Sequence, residues 1–275
     1  MPNSSLYDEI GQSYTAHRQA DSRLTNAVLS LLQLPTGASI ADIGAGTGNY
    51  SLALAQKGYQ LTAIEPSAVM QQQAKQHCNI AWISGLAEQL PLNSNSVQAS
   101  IGILSMHHFK GAKQALDEMA RISKNSRVLL FTFDPRQIER PWLADYFPFL
   151  WGDTFKYFPP IEEVADWLAR ATGGQVTTMP FELPHDLKDF FAAAGWRRPE
   201  LYLNATVRSC MSGFAIADQH RVAQGVKALR NDLETGAWDD KYGWLRGKHK
   251  ADIGYRFVLS GTVDQSACGA GYRSV

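Results

Sequence analysis

An α/β fold built on a mostly parallel sheet is predicted by three features of this 275-residue sequence. The first is a stretch that reads strand, glycine turn, helix. Residues 39–43 form a short apolar run after Pro35 and Gly37, then come Gly44, Gly46 and Gly48, and Leu52, Leu54 and Ala55 fall at helical spacing. The second is alternation: apolar runs at 59–64, 80–83, 97–104 and 127–133 are separated by helical segments, as strands joined by crossovers require. The third is position. Glu65, His107-His108 and Asp134 each close one of those runs, at the sheet edge where an open α/β fold places its ligand.

Composition narrows the field. With 45% hydrophobic residues the chain can pack a sizeable core, and 26 basic against 26 acidic side chains leave no global field for nucleic acid or anionic lipid. Cys78, Cys210 and Cys268 are too far apart for a disulfide framework or a zinc site, and no metal is expected. No apolar run approaches the length of a membrane span, and the first residues lack a basic region followed by an apolar one. A cytoplasmic protein with no membrane and no nucleic-acid partner is the expectation.

The glycine spacing bears on the ligand. A dinucleotide turn needs a third glycine or alanine where this chain has Asn49, and no Gly-Lys-Ser/Thr follows for a phosphate loop. Asp42 at the entry would repel a pyrophosphate but hold a cationic amino group. Asp42, Gly44, Ala45, Gly46 and Gly48 together form Asp-x-Gly-x-Gly-x-Gly after a strand, which resembles the first motif of the class I S-adenosylmethionine-dependent methyltransferases. By itself such a turn also fits a purely structural bend.

In chain order, the segment Tyr-Asp-Glu-Ile-Gly-Gln-Ser-Tyr-Thr-Ala-His-Arg at 7–18 is either a solvated leader helix or a cover over the site. In the methyltransferases it resembles, this segment folds over the cofactor, which implies cofactor roles for Tyr14 and Arg18 and sets the arginine near the methionine carboxylate. Residues 22–34 make an amphipathic helix stopped by Pro35. Glu65, 17 residues past Gly48, can accept hydrogen bonds from both ribose hydroxyls, and Pro66 and Ser67 suit a helix start. Met70 lies either against adenine or in the core. Gly85-Leu86-Ala87-Glu88-Gln89-Leu90-Pro91 resembles the segment that borders adenine in the families that include the quinone C-methyltransferases; this implies contacts from Ala87 and Glu88, although Leu86 replaces the aspartate many relatives carry.

His107 and His108 end the fourth strand. Each is either a structural histidine bonded to backbone or a base for a protonated acceptor, and strand alternation admits only one toward the pocket, with His108 favoured. Asp134 either faces substrate or caps the next turn. Residues 141–160 are crowded with aromatics and prolines and read as irregular cover. A helix at 161–171 and a strand at 175–183 follow. Helices are predicted at 187–194, 200–217 and 222–233, and an apolar strand at 253–260 returns to pair antiparallel with 175–183. Trp196, Trp238 and Trp244 in this interval line a pocket or pack a core.

The resemblance implies a doubly wound, mostly parallel seven-stranded sheet of the Rossmann-like methyltransferase fold, with S-adenosylmethionine at its carboxyl edge and a helical cap inserted before the last strand. The expected divisions are a lid and first helix at 1–34, a cofactor-binding core at 35–184, a cap at 185–250, and a last strand with a frayed tail at 251–275. It further implies methyl transfer to a small organic acceptor by direct in-line displacement. Two other readings stand beside it: a protein of the same fold that binds the cofactor without transferring methyl, and a nicotinamide enzyme, which Asn49 disfavours.

Overall fold

The computed structural model describes residues 18–261. The leader residues Tyr7 and Tyr14 and the tail expected to fray lie outside them. Seven strands form one sheet: β1 (Ser39–Ile43), β2 (Gln60–Ile64), β3 (Ile80–Ile83), β4 (Ala99–Ile103), β5 (Val128–Phe133), β6 (Val176–Pro180) and β9 (Tyr255–Ser260), in the order β3-β2-β1-β4-β5-β9-β6. The five central and early strands pair in parallel, and β9 runs antiparallel to both β5 and β6. The order reverses between β1 and β4, so the chain leaves β1 on one side and returns on the other. That opens a crevice at their carboxyl ends.

Alternation along the strands feeds two separate cores, one on each face. Leu129, Phe131 and Phe133 pack on one side with Ile40, Leu61, Phe257 and helix α1 (Ser22–Leu32). Val128 and Leu130 pack on the other with Ile43, Val258 and the helices α4 (Ala112–Ile122) and α7 (Ile161–Thr172). Both faces are therefore dry, which is why these strands read as continuous apolar runs.

Outside the strand ends that carry the site, the structure differs from the sequence expectation in four places. Residues 141–160 are not irregular: they hold α5 (Leu143–Tyr146) and α6 (Pro148–Tyr157), the second started by Pro148 in its first turn. Residues 187–194 form turns and bends instead of a helix. The predicted helix at 200–217 is broken into Pro199–Leu203, α8 (Ala205–Ser209) and α9 (Ser212–Ala215), because Asn204 and Met211 are extended and Asn204 caps Thr206 N–H at 2.8 Å. The strand at 175–183 ends at Pro180; β7 (Leu183–Pro184) is a separate short strand pairing with β8 (Lys250–Ala251). A backbone bond from His185 N to His249 O, 2.9 Å, continues this neck beneath the helical region.

That region is fastened to the sheet by aromatics. Trp142 donates from Nε1 to the carbonyl of Trp196 at 2.7 Å and meets Trp238 edge-on at 5.4 Å. Trp196 and Trp238 are buried and pack the core, whereas Trp244 is 62% exposed beneath Lys248. Gly225, inside α10 (Gln219–Thr235), is required by contact: a Cβ there would stand 2.3 Å from the carbonyl of Tyr146.

Candidate functional site

Gly44, Gly46 and Gly48 all have positive φ, at 70°, 57° and 72°, a backbone region that side chains other than glycine enter at a cost. Two of them are also glycine for lack of room. A Cβ on Gly44 would lie 2.7 Å from Ser105 Cβ, and one on Gly48 would lie 2.5 Å from the Trp82 ring. Gly46 differs, since a Cβ there meets nothing within 4 Å. The turn is pinned to β2 by the N–H groups of Gly44 and Ala45, which both donate to the Ile64 carbonyl, at 2.8 and 3.1 Å. Helix α2 (Asn49–Ala55) starts directly after it.

Glu65 joins the ends of β1 and β2. It is 5% exposed, and its carboxylate accepts from Gly46 N at 2.9 Å and from Ser67 N at 2.9 Å. These two bonds orient it over the turn. Pro66 is exposed at the rim, while Met70, one turn into α3 (Ala68–Gln72), is 1% exposed.

Asp42 lies behind the turn, 2% exposed, accepting from Ser51 Oγ at 2.6 Å. Burial, aided by the nearby Glu65 charge and opposed by the Ser51 bond, raises its carboxyl to about 6. The folded state thus holds this proton more tightly than the unfolded chain, so the contribution to stability is full below pH 3.8 and is lost as pH rises toward 6. Asp42→Asn should accordingly gain stability relative to the native chain between pH 4 and pH 7, measured by denaturant unfolding at both. An unchanged difference between the two would show that Asp42 is not buried as described.

At the end of β4 the expectation from alternation fails. Leu104 has a left-handed backbone, φ 52°, and Met106–His108 forms a 3-10 turn, so the two histidines do not point to opposite faces. Their ring centroids are 3.8 Å apart, and His107 also packs on Phe158 at 4.4 Å. The turn is held by Ser105, whose Oγ donates to the Ile43 carbonyl at 2.7 Å. His107 Nδ1 and Trp82 Nε1 are buried without a hydrogen-bond partner among the described residues. Burial lowers both histidines, aided by the charge of Arg18 and, for His107, first by that of His108: His107 lies well below 6.5, and His108 falls to about 4. His108 is exposed on one side, whereas His107 is half-buried.

The remaining candidates are placed as follows. Ala87 is buried in the core beside α4, and Glu88 Oε1 accepts from Gly111 N at 3.0 Å, tying the loop after β3 to the start of α4. Asp134 is fully buried and caps, accepting from Arg136 N and from Ile161 N, each at 2.9 Å. Arg18 pairs with Asp189, and its carbonyl accepts from Asn49 Nδ2 at 2.9 Å. Sequence reading missed Asp189, Ser51 and Ser105; the one available signal was a lone carboxylate between Lys188 and the pair Phe190-Phe191. Among the described residues no group of three metal-ligating side chains converges, and no helix is long and apolar enough to cross a membrane.

Comparison with known proteins agrees with this geometry. A family model described as a methyltransferase domain matches residues 41–131. The malonyl-[acyl-carrier protein] O-methyltransferase of Pectobacterium atrosepticum is 31% identical over 105 residues, 38% of this chain and 42% of that protein. The ubiquinone/menaquinone biosynthesis C-methyltransferase of Rubrivivax gelatinosus is 33% identical over 100 residues, 35% of this chain and 40% of that protein. The matched region thus spans about two fifths of these curated relatives. A crystal structure of a putative methyltransferase from an antibiotic biosynthesis pathway of Anabaena variabilis is 48% identical, covers 90% of this chain and 100% of that one, and superposes with a TM-score of 0.88. Identity at that level over the whole Anabaena chain, on the same sheet, makes this protein a member of the class I S-adenosylmethionine-dependent methyltransferase family.

Proposed function

We propose that this chain transfers a methyl group from S-adenosylmethionine to a small organic acceptor. The observation that carries the reading is Glu65, buried and aimed over Gly46, where the backbone is bare and a side chain would meet open space. A ribose fits there by donating both hydroxyls to the carboxylate, and the absence of a Cβ lets the ligand approach the main chain. Asp42 supplies negative charge behind the turn for a cationic amino group. Bound there, the cofactor supplies a methyl already activated on a sulfonium.

The protein's share of the chemistry is then position. Beyond His107 lies a cleft of about 340 Å³ walled by Phe109, Phe155, Tyr157, Phe158 and Trp167. That volume is at the small end of ligand pockets, which run from about 300 to 1,000 Å³. Aromatic walls favour an apolar or planar acceptor, and holding it in line with the methyl can be worth about 7–11 kcal/mol in ideal cases. The rim carries Lys110, Arg136 and Lys156 against Glu163, and Arg136 is paired with Asp134 and Lys156 with Asp153. Net charge at the cleft is therefore modest, in keeping with a small neutral acceptor.

His108 is the favoured base and His107 the alternative. Both are neutral at pH 7, ready to accept a proton but weakly basic. If His108 serves, the acid limb of the rate profile lies near pH 4, below the usual histidine value of 6.5, and His108→Ala removes it at unchanged cofactor affinity. A limb retained in both single histidine variants would leave methyl transfer to positioning alone.

The test of the activity is transfer of labelled methyl from S-adenosylmethionine into fractionated metabolite extract, with the product identified by mass spectrometry. Labelled small product supports the reading. Binding of the cofactor with no labelled product in any fraction would favour a binding protein of the same fold.

A further inference from the structure

The first described residues, the start of the helical region and the helix behind the glycine turn meet in one buried polar cluster. Asp189 is 1% exposed; Arg18 pairs with it, Nη2 donating to Oδ2 at 3.3 Å, and Tyr50 donates its hydroxyl to the same oxygen at 3.0 Å. Asn49, beside Tyr50 in the first turn of α2, donates to the Arg18 carbonyl at 2.9 Å. Two further contacts run along the seam: Arg23 Nη1 donates to Asp186 Oδ1 at 2.5 Å, and Lys188 N to Asp21 Oδ2 at 3.1 Å. Burial and the Asp189 charge hold the Tyr50 phenol well above its usual ionisation, so it remains a donor.

A buried ion pair adds little net stability, because desolvation opposes the attraction. What it adds is geometry, since a carboxylate gripping the guanidinium fixes the plane and direction of its fork. The charge of Arg18 is also felt by His107 and His108, at the end of β4. The Asn49 bond holds the Arg18 backbone at the first turn of α2, directly after the glycine turn. An anionic group at the end of a ligand seated on the glycine turn would be drawn to the guanidinium.

We infer that Asp189 is a positioning residue for the cofactor site: from the helical region it aims Arg18 at the amino-acid carboxylate of the bound cofactor. The inference rests on the reading that the glycine turn takes S-adenosylmethionine. It makes the region between β7 and β8 part of the cofactor site.

The test is calorimetry on the full chain with two ligands. S-adenosylhomocysteine carries the amino-acid carboxylate; 5′-methylthioadenosine has the same nucleoside and a thioether but no amino acid. Asp189→Asn should weaken S-adenosylhomocysteine on the order of ten-fold and leave 5′-methylthioadenosine unchanged. Tyr50→Phe, which deletes a single oxygen, should give a smaller loss in the same sense, and it carries the comparison if Asp189→Asn does not fold. Equal losses for both ligands would reduce Asp189 to scaffolding, and unchanged affinities would remove its role; either overturns the inference. A native chain that binds neither ligand would instead bring down the cofactor reading, and this inference with it.

Discussion

Gly46→Arg should abolish cofactor binding, a loss on the order of 100-fold or more in affinity, about 2.7 kcal/mol, in a chain that still folds. The reason is the contrast within the turn. Side chains at Gly44 and Gly48 would strike Ser105 and Trp82, so substitution there disturbs the fold itself. At Gly46 a side chain enters open space, and the cost to folding is the left-handed backbone alone, about 1–2 kcal/mol. An arginine there fills the volume in which the ligand would lie against the main chain. Titration with S-adenosylhomocysteine, alongside thermal unfolding, separates the two effects. A folded variant with native affinity would mean that the ligand does not lie over this turn.

Glu65→Ala should weaken the same ligand by on the order of 1.5–3 kcal/mol, since hydrogen bonds to a charged group contribute about that much. Two backbone donors, Gly46 N and Ser67 N, lose their acceptor at the same time, which loosens the junction of turn and α3. Glu65→Gln should fall between the native chain and alanine. It keeps the shape and one acceptor oxygen, but turns the other position into a donor facing a backbone N–H. Native affinity in a folded Glu65→Ala chain would remove the ribose assignment.

The parts of this protein that follow from chain-local physics were legible beforehand. Alternation of short apolar runs with helical segments specified a parallel sheet, because strands covered on both faces need no polar residue. Glycines crowded between a strand and a helix specified a tight turn, because only glycine accepts three left-handed residues within five positions. Glu65 was located by distance along the chain, since a crossover of fixed length returns the next strand end to the same edge.

What was not legible depended on contacts between residues far apart in sequence. Leu104 turns left-handed where the chain packs on Gly44 through Ser105, so the strand ends early and both histidines share one place; the apolar run before them gives no sign of this. Gly225 reads as a weak point in a helix, yet it is demanded by the Tyr146 carbonyl 79 positions away. The helices of the region after β7 were misread at 187–194 and 200–217 because burial against Trp142, Phe147 and Phe131 holds turns that local propensity does not favour. Asp189 is the clearest case. By sequence it is one carboxylate among aromatics, and only folding brings it to Arg18 and Tyr50, 171 and 139 positions away. Propensity and periodicity act over a few residues, so the sequence determined the sheet and the glycine turn; partners for a buried charge are chosen across the whole chain, so tertiary structure alone decided who holds Arg18.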